Sequence, residues 1–170
     1  PQAKPNAAHI FLAQLEASGH LDAVITQNID TLHEAAGSQR VLKLHGTVDR
    51  NICQDCGRVY DLNSFLEAYD SQGIPHCPHC GGVLKPDVTL YEESLNMEVF
   101  DQAISAIERA NTLIVGGTSL VVYPAAGLLQ CFKGKHLVVI NKQAIPQDDW
   151  ADLVIHAPIG QVFSQLVLPG

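Results

Sequence analysis

Four of the five cysteines fall in two pairs, Cys53-x-x-Cys56 and Cys77-x-x-Cys80, with 20 residues between the pairs. Each Cys-x-x-Cys offers two sulfurs from one tight turn, and two such turns close a tetrahedron around a single Zn²⁺. Gly57 follows Cys56 and Gly81 follows Cys80, which suits such turns. Four thiolates leave no open coordination position, so a metal held this way is structural rather than hydrolytic. Two disulfides or four buried thiols are the alternatives. Pro1 to Lys4 resemble no secretory or transit peptide, and a reducing compartment, the cytoplasm, favours metal over disulfides. His76 and His79 stand beside the second pair as substitute ligands. Cys131 stands apart and reads as a buried, inert thiol.

Three further groups of residues carry chemistry. Thr26-Gln27-Asn28-Ile29-Asp30 sets hydrogen-bonding side chains after a β-branched strand, suited to reading an amide or a ribose; a plain strand-to-helix turn capped by Asp30 fits the same residues. His45, between Leu44 and Gly46, stands at a strand end where a substrate can approach, and an imidazole exchanges protons near neutrality. A hydrogen-bonded surface or core histidine is the competing reading, the more so in a chain with eight histidines. Gly116-Gly117-Thr118-Ser119 joins two glycines to two hydroxyls, where backbone can approach a phosphate; it is no GxGxxG fingerprint. Asn141 after Ile140 suits a ribose hydroxyl, or simply ends a strand.

These residues need elements to hold them. Asn6 is placed to cap a helix running to about Ser18, with Gly19 as its stop. Short strands are expected at Val24–Thr26, Val41–Leu44, Leu113–Val115, Leu137–Ile140 and Leu153–Ile155. Helices are expected over 31–37, near 97–110, and at Pro124–Phe132 and Ile159–Leu166, with an extended stretch at Val88–Tyr91. Residues 48–86 are polar, rich in Gly and Pro and hold the four cysteines, with a small helix around Asn63–Tyr69. There a metal takes the place of a core. The recurring strand, loop, helix order predicts an α/β fold: a Rossmann-like, doubly wound parallel sheet with ligands at the carboxyl ends of its strands, and a small zinc-binding insertion. The expected domains are 1–47 with 87–170, and 48–86.

A net charge of −8 argues against non-specific binding to nucleic acid or an anionic membrane, and no apolar run reaches the roughly 20 residues of a membrane span.

In their order, these motifs resemble the sirtuins, the NAD-dependent protein deacylases. The residues that carry the likeness are Val24 to Asp30, Leu32-His33, Ala36-Gly37-Ser38, Leu44-His45-Gly46, the two cysteine pairs, Leu84 to Val88, Gly117 to Leu120 with Pro124-Ala125, and Ile140-Asn141. The resemblance implies that an acyl-lysine peptide enters a cleft between a Rossmann-like domain and a zinc-bearing domain. Its acyl oxygen attacks C1′ of the nicotinamide ribose, nicotinamide leaves, and water finally releases the deacylated lysine. His45 is then the general base. Gln27 and Asn28 face the nicotinamide ribose and Asp30 the carboxamide. Gly117, Thr118 and Ser119 lie against phosphate and ribose, Asn141 and Lys142 at the adenosine end, and Ile159 near the adenine. Val88, Leu90, Tyr91 and Glu92, opposite Leu120 and Val121, pair with the substrate backbone.

Departures are also legible. The family's first strand and Gly-Ala-Gly-x-Ser loop have no counterpart here. The expectation is therefore a fragment, with the first strand of the sheet missing, in which a partner chain or an N-terminal segment completes the sheet. Tyr91-Glu92-Glu93 stands for Phe-Gly-Glu, and Asn141-Lys142-Gln143 for Asn-x-Glu. A catalytically inactive zinc-stabilised module binding peptide or nucleotide, and an ADP-ribosyltransferase, are the alternatives carried.

Overall fold

The computed structural model describes residues 3–90 and 92–168. Helix α1 (Ala7–Ala17) begins where Asn6 Oδ1 accepts from the N–H groups of Ala8 and His9 at 2.9 and 3.3 Å, and the Asn6 N–H donates to His9 Nδ1. Strand β1 (Val24–Thr26), the short helix α2 (Leu32–Ala35) and β2 (Val41–Lys43) follow. The Val24 N–H donates to the Arg40 carbonyl and the Leu44 N–H to that of Thr26, so β1 and β2 advance together as a parallel pair.

Strand β3 (Gly46–Cys53) comes next, then β4 (Val59–Tyr60), helix α3 (Leu62–Glu67) and β5 (Leu84–Val88). Beyond them lie α4 (Met97–Arg109) and β6 (Thr112–Gly116). A 3-10 helix (Ala125–Cys131) leads to β7 (His136–Ile140), and a second (Pro146–Trp150) to β8 (Leu153–Ile155) and α5 (Ile159–Phe163). Cys131, at the end of the first 3-10 helix, is half-buried rather than buried.

Two compact units result. The first takes in 1–25, 32–42 and 97–170; the second takes in 26–31 and 43–96, a wider span than the cysteine-rich stretch alone. In the first, β6, β7 and β8 form a parallel sheet in that order, with Gly116 opposite Ile140 and Ile140 opposite Ile155. Val139 is fully buried, packed in one cluster with Leu120, Ala126, Leu129, Leu137 and Ile145. A separate cluster joins α1 to α5 through Phe11 and Phe163, whose rings meet edge-on at 5.6 Å, and adds Ala8 and Ile140. The amphipathic α4 buries Ala103, Ala106 and Ile107.

In the second unit β3 pairs antiparallel with β4 and β5. Its register slips between Thr47, opposite Asp87, and Asn51, opposite Pro86. Pro86 has no N–H for the ladder, which suits an irregularity there. Asn51 is fully buried at the slip, and its Nδ2 donates to the Val48 carbonyl at 3.1 Å.

Residues 125–131 form a 3-10 rather than an α-helix, and α5 ends at Phe163, short of Leu166. The 3-10 segment buries Ala125, Ala126, Leu128 and Leu129.

The pairing of β3 with β5 begins at a close approach. Gly46 has φ +79°, and a Cβ there would collide with the Asp87 carbonyl and lie 3.1 Å from Val88 Cα. Gly46→Ala is therefore expected to lower stability by at least about 2 kcal/mol, combining left-handed strain with a backbone clash. Urea unfolding followed by circular dichroism checks this; a loss under about 0.5 kcal/mol, ordinary for a surface change, would show the approach to be dispensable.

Candidate functional site

In the second unit, the segment after β1 is held by its carbonyls. The Thr26 carbonyl accepts from the Leu44 N–H at 2.9 Å and that of Ile29 from the Val48 N–H at 3.0 Å. The Asp30 carbonyl accepts from Lys43 Nζ at 2.7 Å. The Thr26 hydroxyl caps the turn by accepting from the Asn28 N–H at 3.0 Å. The fourth carbonyl, that of Gln27, lies 3.0 Å from His45 Nδ1. A carbonyl only accepts, so the proton of a neutral His45 sits on Nδ1 and Nε2 keeps its lone pair. The His45 carbonyl in turn accepts from the Thr89 N–H at 3.0 Å. The ring is half-buried, as are the side chains of Gln27 and Asp30, while Asn28 is exposed.

The four cysteines lie in the same unit. Their sulfurs all fall within 4.8 Å of one another, with Cys53 and Cys80 at 3.5 Å and Cys56 and Cys77 at 3.8 Å. Zn–S bonds of about 2.3 Å in a tetrahedron put sulfurs about 3.8 Å apart, so the donor set fits zinc. Each knuckle is closed by the glycine that follows it: the Gly57 N–H donates to the Cys53 carbonyl and the Gly81 N–H to that of Cys77. Cys53 and Cys77 are buried with Phe65 and Leu84, and Cys56 and Cys80 are exposed.

The thiols differ in acidity. The Cys56 N–H lowers Cys53. Burial pushes Cys77 up, but the Tyr60 hydroxyl, 3.0 Å from its sulfur, and the N–H groups of Cys80 and His79 outweigh burial and bring it to about 6. For Cys80 the Gly82 N–H acts downward, but the Cys56 and Cys53 sulfurs and burial raise it to about 12. Tyr60 itself is pushed to about 12, chiefly by its bond to Cys77. Nothing in its sequence neighbourhood marks Tyr60 for this role.

In the first unit, Gly117, Thr118, Ser119 and Val121 face residues 141–146 across a cleft of about 620 Å³. The parallel register makes this meeting unavoidable, because both loops leave the carboxyl ends of adjacent strands and the Gly117 N–H donates to the Ile140 carbonyl at 3.1 Å. Gly117 has φ +63°, and Ile159 packs behind Gly116 so closely that a Cβ there would meet Ile159 Cδ1. The Thr118 hydroxyl accepts from the Leu120 N–H, and Asn141 Nδ2 donates to the Gln143 carbonyl. Gln143, marked in the sequence as a departure, lies in the wall, and sequence reasoning missed the part formed by Ala144, Ile145 and Pro146; Pro146, a loop residue following an apolar strand, was the available signal.

Val88 closes β5, opposite Gly46. Leu90 and Glu92 are exposed; the Leu90 carbonyl accepts from the Glu93 N–H, closing a turn, and Glu92 has φ +71°. Tyr91 lies outside the described residues. Leu120 is buried, whereas Val121 is exposed.

The family model for the Sir2 family matches residues 1–124. The chain belongs to the Sir2 family. Among its relatives, a Clostridium acetobutylicum NAD-dependent protein deacetylase is 53% identical over 97% of this chain and 66% of its own length. One from Clostridium perfringens is 55% identical over 98% of this chain and 68% of its own. A solved Sir2–p53 peptide–NAD⁺ structure superposes with a TM-score of 0.91 at 39% identity, covering 96% of this chain and 69% of that one. The chain thus spans about two thirds of the length of the Sir2 relatives it matches.

Zinc binds thiolate, and Cys80 keeps its proton at pH 7, so metal entry must displace it. Loading zinc at pH 7 should release at least one proton. Affinity should rise with pH, and fall further below about pH 6, where Cys77 also becomes protonated. Titration calorimetry in buffers of different ionisation heat measures this; zero protons released would contradict it.

Proposed function

We propose that this chain carries the catalytic core of an NAD-dependent protein lysine deacylase. The observation that carries the reading is the hydrogen bond from His45 Nδ1–H to the Gln27 carbonyl, because it leaves Nε2 as a base. NAD, when bound, supplies the electrophilic ribose carbon and the leaving group for acyl transfer. His45 takes a proton from a ligand hydroxyl at Nε2. Gln27 and Asn28 hold the nicotinamide ribose, and Asp30 the carboxamide. Gly117, Thr118 and Ser119 receive phosphate and ribose, Asn141 and Lys142 the adenosine end, and Ile159 backs the adenine. Cys53, Cys56, Cys77 and Cys80 hold zinc as a structural ion, since four thiolates fill its coordination. Val88, Leu90 and Glu92, with Leu120 and Val121, contact the acyl-lysine peptide.

The likeness to curated deacetylases at about half identity, and a cleft sized for part of a dinucleotide, support this reading. Among the described residues no helix is long and apolar enough to cross a membrane. We place the protein in the cytoplasm on its reduced thiols and propose no direct nucleic-acid partner.

With NAD and an acetylated peptide, His45→Ala should lower deacylation by about 10²- to 10⁴-fold while zinc content and the circular dichroism spectrum stay unchanged. Undiminished turnover removes His45 from the mechanism. Transfer of label from NAD onto protein would turn the assignment toward an ADP-ribosyltransferase, and NAD binding by the unaltered chain without turnover toward an inactive binding module.

A further inference from the structure

Four thiolates around one Zn²⁺ leave excess negative charge on the sulfurs, and hydrogen-bond donors are needed to spread it. Cys56 and Cys80 are exposed, so water donates to them. Cys53 and Cys77 are buried, at 1% and 2% exposure, so their donors have to come from the protein. The N–H groups of Cys80 and His79 bond to Cys77, as that of Cys56 does to Cys53. Among the described residues, one side chain from outside the ligand set joins them: the Tyr60 hydroxyl lies 3.0 Å from Cys77 Sγ. A metal-bound thiolate has no proton to give, so the Tyr60 O–H is the donor.

Two strands carry that hydroxyl to its place. Tyr60 closes β4, directly opposite Asn51 of β3. Asn51 is fully buried, and its Nδ2 donates to the Tyr60 carbonyl at 3.5 Å as well as to that of Val48 at 3.1 Å. The Cys53 N–H donates to the Arg58 carbonyl at 2.9 Å, which fastens β4 to the strand that ends in the first cysteine. The Tyr60 ring packs against the cluster of Cys53, Phe65, Cys77 and Leu84. Strand β4 is thus built off the first knuckle, whereas Cys77 belongs to the second. A single hydroxyl ties the two knuckles together through a sulfur.

We propose that Tyr60 is a positioning residue for the zinc: its hydroxyl, donating to the Cys77 thiolate, sets how tightly the metal is held. The inference rests on the zinc reading of the four cysteines and goes beyond it by naming a partner outside the ligand set. Because Cys77 is buried, no water replaces the hydroxyl when it is removed without a change of packing. The thiolate then keeps more of its charge in an apolar surrounding, and the metal is held less tightly.

Two variants separate the hydroxyl from the ring: Tyr60→Phe removes the donor and keeps the packing, and Tyr60→Leu removes both. In competition with a chromophoric chelator, Tyr60→Phe should lower zinc affinity about 10- to 100-fold, and Tyr60→Leu by at least as much. With cobalt(II) in place of zinc, the sulfur-to-metal charge-transfer band of Tyr60→Phe should move to lower energy, because a thiolate that loses a donor gives up its electrons more readily. Zinc affinity of Tyr60→Phe within about twofold of the unaltered chain overturns the inference and leaves the zinc reading standing, whether or not Tyr60→Leu binds more weakly. Weakened zinc binding with an unmoved cobalt band assigns the loss to packing and overturns the donor role, and with it the proposal as stated. No zinc binding by the unaltered chain overturns both readings.

Discussion

The carbonyl of Gln27 and Nδ1 of His45, 3.0 Å apart, fix which nitrogen of one imidazole carries the proton. That contact joins residues 18 apart in sequence, so it exists only if both segments are held in place. The first is anchored by three backbone acceptors, those of Thr26, Ile29 and Asp30, each with a donor from 43–48. The second is anchored by β3, whose start at Gly46 lies against the Asp87 and Val88 backbone. A rotation of either loop by a few tenths of an ångström would weaken the bond steeply, because hydrogen bonds lose strength quickly as geometry degrades. The orientation of this imidazole is thus a product of sheet pairing in the second unit rather than of the histidine alone.

That pairing stands on a small apolar foundation. The buried cluster around the cysteine pairs comprises Cys53, Phe65, Cys77 and Leu84, flanked by Tyr60, Leu62 and Ala68. Two of the four buried members are sulfurs of the metal set. So small a core does not offset the entropy of ordering its loops, and a metal closing both knuckles supplies what apolar burial lacks. The zinc site and the tautomer of His45 are linked through β3, which begins at Gly46 beside the histidine and ends at Cys53.

Much of this was legible in the residues. The cysteine spacing foretold a cluster that the sulfur distances now fit, and Asn6 foretold its helix by the side-chain chemistry that caps it. The parallel strands stood out because strands covered on both faces read as apolar runs, as Leu137 to Ile140 does. What escaped detection had no such periodicity. Strand β3 reads Gly-Thr-Val-Asp-Arg-Asn-Ile-Cys, neither alternating nor continuous, because a bulge interrupts it and a buried asparagine takes the place of an apolar residue. The 3-10 helix at 146–150 follows Ile145, and Asp148 caps it by accepting from the Ile145 N–H; a single turn closed in this way leaves no 3.6-residue pattern to find. Gln27 was named for its side chain, while its carbonyl does the anchoring, and a sequence says nothing of which backbone groups meet.

The backbone strain is spent beside the proposed binding loops. Apart from glycine, positive φ occurs among the described residues at Leu120 and Glu92. A left-handed non-glycine residue costs about 1–2 kcal/mol, so something local must hold each one. Leu120 is held by burial among Ala126, Leu129 and Val139, since covering a leucine side chain yields about 2 kcal/mol. The next residue, Val121, is thereby turned out to the cleft wall. Glu92 is held by its neighbour: the Glu93 carboxylate accepts from the Leu90 N–H at 2.9 Å and from Lys85 Nζ at 3.0 Å, and these partners, the N–H foremost, keep it below the usual carboxylate range. In both places a buried or charge-paired residue fixes the turn, and its neighbour is left exposed. The ordering cost of these loops is met on folding, so that little of it would fall on any binding event there.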